Sequence, residues 1–71
     1  MRNELGKVLK ELRTKYKLTQ QEIADKINIT QRAYSFYEND KRQPDIDTLI
    51  ELAEFYSIPI DVLVGRYSLR H

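Results

Sequence analysis

Two helix-starting signals stand eleven residues apart in the middle of this chain, at Thr19 and Thr30, and they restrict its folding more than any other feature. Glu22 follows Thr19 at the spacing of a capping box, in which each of the two side chains satisfies one free backbone N–H at a helix start. Ile23, Ala24 and Ile27 then line one apolar face. Asn28 comes just after the last apolar position. After glycine it is the residue that best tolerates the left-handed backbone of a helix end. Ile29 plugs the turn, Thr30 caps the next helix, and Ala33, Tyr34 and Tyr37 supply its inner face. The spacing leaves about two turns of helix and a short connection, so Thr19 to Glu38 reads as helix, tight turn, helix. The second helix opens with polar side chains long enough to reach base edges, a shape that fits the major groove of DNA.

The flanking segments are helical too. Leu5, Val8, Leu9, Leu12 and Tyr16 form one stripe of an amphipathic helix, with Lys7, Lys10, Glu11 and Arg13 between them. Asn39 to Pro44 has no periodicity and ends in proline, which makes it a loop. Asp45 caps a fourth helix with an expected inner face of Ile46, Leu49, Ile50, Leu52, Ala53 and Tyr56, and Asp47 suits the positive end of its dipole. Ser57-Ile58-Pro59 breaks that helix, and a short fifth helix from about Ile60 to Val64 ends at Gly65. The expectation is an all-α fold of five short helices around one core. Residues 1–65 form the domain and 66–71 a tail, frayed unless a dimer contact holds it.

At 71 residues the chain has room for one small domain. It has no cysteine, which removes disulfides and thiolate metal sites. No apolar run approaches the roughly 20 residues of a membrane span, and the polar start is no signal peptide. A soluble cytoplasmic protein is expected. The net charge of +1 hides an asymmetry: residues 1–42 carry ten Lys/Arg against six Asp/Glu, a net +4, and residues 43–71 carry two against five, a net −3. One part is suited to phosphates and the other is not, although ordinary surface charge has the same look.

These residues resemble the Cro/phage-repressor type of helix-turn-helix, also called the xenobiotic-response-element family. The resemblance covers residues 5–65 and is carried by Leu9, Leu12-Arg13, Leu18 to Ala24, Ile29 to Arg32, Tyr37-Glu38-Asn39, Lys41-Arg42, Pro44, Leu49, Leu52-Ala53, Ile58 and Leu63. It implies a compact five-helix, lambda-repressor-like DNA-binding domain with the helix-turn-helix at helices two and three. Asn28 and Asp40 stand where relatives frequently have glycine. Both tolerate a left-handed backbone, so the turns are expected to survive.

By this resemblance, Gln31 and Arg32 in the first turn of the third helix read bases, with Ser35 and Phe36 one turn later. The chemistry agrees, since Gln pairs bidentately with adenine and Arg with guanine O6 and N7. Phe36 has two readings, pressure on a thymine methyl or packing back onto its own helix. Gln20 is expected at a phosphate, with Lys17, Asn39, Lys41 and Arg42 as further backbone contacts. Each exposed cation alone is more often merely solvated. The resemblance also pairs Arg13 on helix one with Glu38 at the end of helix three, a structural salt bridge that keeps a carboxylate from facing DNA phosphate. Ala24 is read as structural, a small residue between helices two and three. Tyr34 and Tyr37 are read as core with their hydroxyls reaching solvent or a backbone carbonyl, and Tyr16 and Tyr56 as covers of the core edge.

Nothing suggests an enzyme, a metal site or a cofactor: there is no glycine-rich phosphate loop, no Cys/His cluster, and the one histidine is the terminal His71. The expected partners are double-stranded DNA and a second copy of the chain, and the expected activity is sequence-specific transcriptional regulation, as a repressor. The expected dimer surface is Ile60, Val62, Val64, Tyr67 and Leu69. Because the domain fills the chain, control is expected through abundance, dimerisation or a second protein. The rival is a protein-interaction module of the same fold, an antitoxin or anti-repressor acting on a partner protein. Gln31 and Arg32 argue against that rival.

Overall fold

Three of the helices in the described residues begin on a side-chain cap that the local sequence supplies. In the computed structural model, which describes residues 4–65, five helices follow in order: α1 Leu5–Lys15, α2 Gln20–Lys26, α3 Gln31–Glu38, α4 Ile46–Tyr56 and α5 Ile60–Leu63. No strand occurs among the described residues. At α2 the capping box closes in both directions. Glu22 N donates to Thr19 Oγ1 at 3.0 Å, and Thr19 N donates to Glu22 Oε1 at 2.8 Å. Thr30 accepts from Ala33 N at 3.1 Å, and Asp45 accepts from Thr48 N at 2.9 Å.

The start of α1 is different, because Glu4 makes no side-chain cap. Asp40, from the loop after α3, accepts from Gly6 N at 3.2 Å and fills that role from across the fold. The approach is so close that a Cβ on Gly6 would lie 2.5 Å from Glu38 O and 2.7 Å from Asp40 Oδ1. Gly6 therefore lets α1 cross directly over the end of α3.

Four helices end in one repeated turn, and none of the four uses glycine. Lys17, Asn28, Asp40 and Ser57 all have left-handed backbones, with φ between 57° and 64°. After each, the next residue's N–H reaches back to a carbonyl five residues earlier: Leu18 to Arg13, Ile29 to Ala24, Lys41 to Phe36 and Ile58 to Ala53, at 2.9–3.0 Å. This is the Schellman arrangement. Leu18, Ile29 and Ile58 also tuck against the core, so the same residue closes the helix and buries apolar surface. Gly65 has φ 80°, and Glu4 N donates to Val64 O at 2.8 Å, tying the start of α1 to the end of α5.

The core comprises Leu5, Leu9, Ile23, Ala24, Ile27, Tyr34, Leu52, Ala53, Tyr56 and Leu63. Burying each large apolar side chain stabilises the fold by about 1.5–3 kcal/mol. Helix α3 packs on both α1 and α2, while α5 packs on α1 and α4. Two expectations about α4 are corrected. Ile46 is 61% exposed and Ile50 39% exposed, one turn apart on a face that leaves the core. Leu49, Leu52, Ala53 and Tyr56 form the inward stripe, and the apolar content around α4 obscures which stripe faces in. Tyr16 is also more exposed than a core cover, although its ring stacks on Tyr56 with centroids 5.7 Å apart.

Candidate nucleic-acid interface

A single buried carboxylate organises the surface that the helix-turn-helix presents. Glu38, the last residue of α3, is 8% exposed and accepts four hydrogen bonds. Arg13 on α1 donates through Nε at 2.6 Å and through Nη2 at 3.2 Å. The Tyr34 hydroxyl donates at 2.8 Å, and Gln20 Nε2 donates at 2.9 Å. The remaining guanidinium nitrogen of Arg13 donates to Leu18 O at 2.9 Å, which fixes the turn between α1 and α2.

The electrostatics follow from this saturation. Burial alone pushes the Glu38 carboxyl up, but hydrogen bonds from Arg13, Gln20 and Tyr34 outweigh it and hold its pKa below the ordinary carboxylate value. The Arg13 pKa rises through its hydrogen bond to Glu38. Tyr34 is raised by burial and then by its bond to the same carboxylate. The expected solvent or backbone partner for the Tyr34 hydroxyl is therefore corrected. Tyr34 and Glu38 stand one helical turn apart, and that i, i+4 spacing was the available signal. The Tyr56 hydroxyl is buried with no hydrogen-bond partner among the described residues, and burial pushes it up to about 12.

The network reaches the surface through Gln20. An ionised carboxylate only accepts, so Nε2 of Gln20 must face Glu38 and its Oε1 must face away. There Gln31 Nε2 approaches Gln20 Oε1 at 3.4 Å. Buried Glu38 thus sets the orientation of Gln20, and Gln20 sets that of Gln31. Gln31 and Arg32 are exposed at the first turn of α3, while Ser35 and Phe36 are half-buried one turn on.

The remaining expected DNA-facing residues divide into groups. The guanidinium carbons of Arg32 and Arg42 lie 5.5 Å and 5.8 Å from the centroid of the Phe36 ring. Asn39 is committed to its own helix: its Nδ2 donates to Ser35 O at 2.9 Å and to Ser35 Oγ at 3.3 Å. Lys41 and Lys17 are exposed and occupy helix-ending turns. Of the expected dimer residues, Ile60, Val62 and Val64 are half-buried, and Ile60 and Val64 pack against the core. Tyr67, Leu69 and the expected tail at 66–71 lie outside the described residues. Ile50 and Ile60 share a hollow of about 360 Å³ between α4 and α5.

A buried acid at the end of α3 holds a half-buried glutamine on α2 within a helix-turn-helix, and comparison places the chain in the repressor-type class of that fold. A family model described as Helix-turn-helix matches residues 9–63, and the chain belongs to that family, of the Cro/C1 type. It is 48% identical over 62 residues to the HTH-type transcriptional regulator ImmR of Bacillus subtilis, a match covering 87% of this chain and 49% of that protein. A crystal structure of a transcriptional regulator from Listeria innocua superposes with a TM-score of 0.89 at 29% identity, over 96% of this chain and 64% of that one. The DNA-binding domain of the P22 c2 repressor superposes with a TM-score of 0.80 at 24% identity, over 96% of this chain and 92% of that one, which shows the shared fold. The chain spans about half the length of the curated relatives it matches. No helix among the described residues is long and apolar enough to cross a membrane.

Proposed function

We propose that this chain is a sequence-specific, DNA-binding transcriptional repressor that places α3 in the major groove. The observation that carries the reading is the orientation of Gln31. Its amide bonds Gln20, and Gln20 bonds the buried carboxylate of Glu38. Gln31 keeps one N–H and its oxygen for an adenine, the pairing that needs one donor and one acceptor. Arg32 beside it faces a guanine, and Ser35 completes the base-facing set with Phe36 on the same flank. The second N–H of Gln20, together with Lys17, Lys41 and Arg42, meets the sugar-phosphate backbone, while Asn39 commits its amide donors to Ser35 and holds the end of α3.

A homodimer suits this chemistry, with half-sites about 34 Å apart. Its surface is Ile60, Val62 and Val64, with Tyr67 and Leu69 beyond them, extended by the exposed Ile50. The protein acts in the cytoplasm, without a cofactor and without catalysing a reaction. A protein-interaction module, an antitoxin or anti-repressor, is the second reading, and the exposed apolar Ile46, Ile50 and Phe55 on α4 favour it. In the first reading Ile50 serves the second copy instead.

Selection from a random duplex library, repeated with Arg32→Ala and at two salt concentrations, tests the reading. A palindromic motif whose preference relaxes at one base pair per half-site in the variant is the expected result. Binding without sequence preference would overturn it.

A further inference from the structure

Phe36 sits half-buried on the outward flank of α3, and two cations stand at its ring. Arg32, one turn earlier on the same helix, lies over the ring at 5.5 Å, and Arg42, in the loop after α3, lies over it at 5.8 Å. Both distances fall within the roughly 6 Å reach of a cation–π contact. Neither arginine pairs with a carboxylate among the described residues, where the one ion pair joins Arg13 to Glu38.

The kind of contact matters. A carboxylate would occupy the guanidinium edge and cancel its charge. An aromatic face touches the guanidinium plane and leaves its five N–H donors pointing outward. Both guanidinium groups therefore stand at one ring before any ligand arrives.

We propose that Phe36 is a positioning residue: its ring holds the guanidinium groups of Arg32 and Arg42 together at the DNA-facing edge, so that base reading by Arg32 and backbone contact by Arg42 depend on one another. This rests on the reading of α3 as the base-reading helix. It differs from direct contact between Phe36 and a thymine methyl, because the ring faces are turned to the two arginines. Substituting Phe36 then alters the preference set by Arg32 without creating or removing a preference of its own.

Two measurements test this, one without DNA. In proton NMR of the free protein, the δ-methylene protons of both Arg32 and Arg42 are expected upfield of ordinary arginine values. The shift should vanish in Phe36→Leu and persist in Phe36→Tyr. Wild-type protein with ordinary shifts for either arginine would overturn the platform and leave the DNA reading standing. In operator selection, Phe36→Leu is expected to relax preference at the base pair relaxed by Arg32→Ala, by about fivefold or more. Its salt slope should fall by about one, as in Arg42→Ala, and Phe36→Tyr should restore both. Loss of preference at a separate T·A pair in Phe36→Leu would overturn the proposal in favour of methyl contact. Shifted arginine protons in a wild-type protein with no operator preference would overturn the DNA reading and the platform's purpose with it.

Discussion

The side-chain amide of Gln20 donates to the carboxylate of Glu38 at 2.9 Å, joining the first residue of α2 to the last residue of α3. One bond therefore spans the helix-turn-helix and selects which end of the Gln20 amide faces outward. Because Arg13 and Tyr34 saturate the same carboxylate, the whole motif is anchored to α1. Rigidity of the two-helix unit and orientation of its surface glutamines have a common origin in Glu38.

Removing Arg13 leaves the buried Glu38 carboxylate without its cation, which costs more than the pair contributes. We expect Arg13→Leu to destabilise the fold by roughly 3 kcal/mol in urea unfolding. The double variant Arg13→Leu/Glu38→Leu should recover most of that loss. Additive losses in the double variant would show that the two side chains act separately.

The pH dependence follows from the direction of the shifts. Glu38 has a folded pKa below its unfolded value near 4.5, so the folded protein keeps it ionised where the unfolded chain begins to protonate. Its contribution is complete above that unfolded value and is lost as pH falls through the folded one. The urea midpoint should therefore drop as pH falls below about 4.5, and drop less in Glu38→Gln. At the alkaline end the sign reverses. Tyr56 is raised by burial from 10.0 to about 12, and Tyr34 is raised as well. Stability should fall as pH rises above about 10, and Tyr56→Phe should weaken that fall.

Left-handed backbone at non-glycine residues costs about 1 kcal/mol each. Lys17→Gly and Ser57→Gly should each raise stability by about that amount, and Asn28→Gly by less, because asparagine tolerates the left-handed backbone. Asp40→Gly should be close to neutral, because it relieves the same strain but removes the acceptor for Gly6 N–H. Equal gains at all four positions in thermal unfolding would contradict the role given to Asp40.

Gly6→Ala distinguishes packing from propensity. Alanine is the better helix former by about 1 kcal/mol, yet its Cβ would meet the Glu38 carbonyl at 2.5 Å. A net loss of about 1–3 kcal/mol is expected, the range for overpacking. A stabilised variant would mean that α1 can move off α3 freely.

What the sequence made legible is what acts over a few residues. Thr19, Glu22, Thr30 and Asp45 cap by contacts to residues three positions away, and each was readable from spacing. Asn28 was readable as left-handed for the same reason, and Asp40 from the family resemblance. The cap that Asp40 supplies to α1 was not, because it joins residues 34 apart. Gly6 carried no signal inside an otherwise ordinary helical stripe. In α4 the apolar residues surround so much of the helix that Ile46 and Ile50 could not be told from the inward stripe. At the interface, Gln31 and Arg32 stood out by type and place, and the Arg13–Glu38 pair came from family resemblance. The Gln20–Glu38 bond and the two arginines on Phe36 depend on how α2, α3 and the following loop meet, which no local pattern encodes.

Gln31, oriented through Gln20 by Glu38, is proposed to read a base. The most direct test measures binding of wild-type protein and Gln31→Ala to every single-base-pair variant of the selected operator, at one fixed salt concentration. We expect one A·T pair per half-site whose replacement costs the wild type about 1–3 kcal/mol and costs Gln31→Ala almost nothing. Identical base-pair profiles for the two proteins, differing only by a uniform factor in affinity, would contradict it.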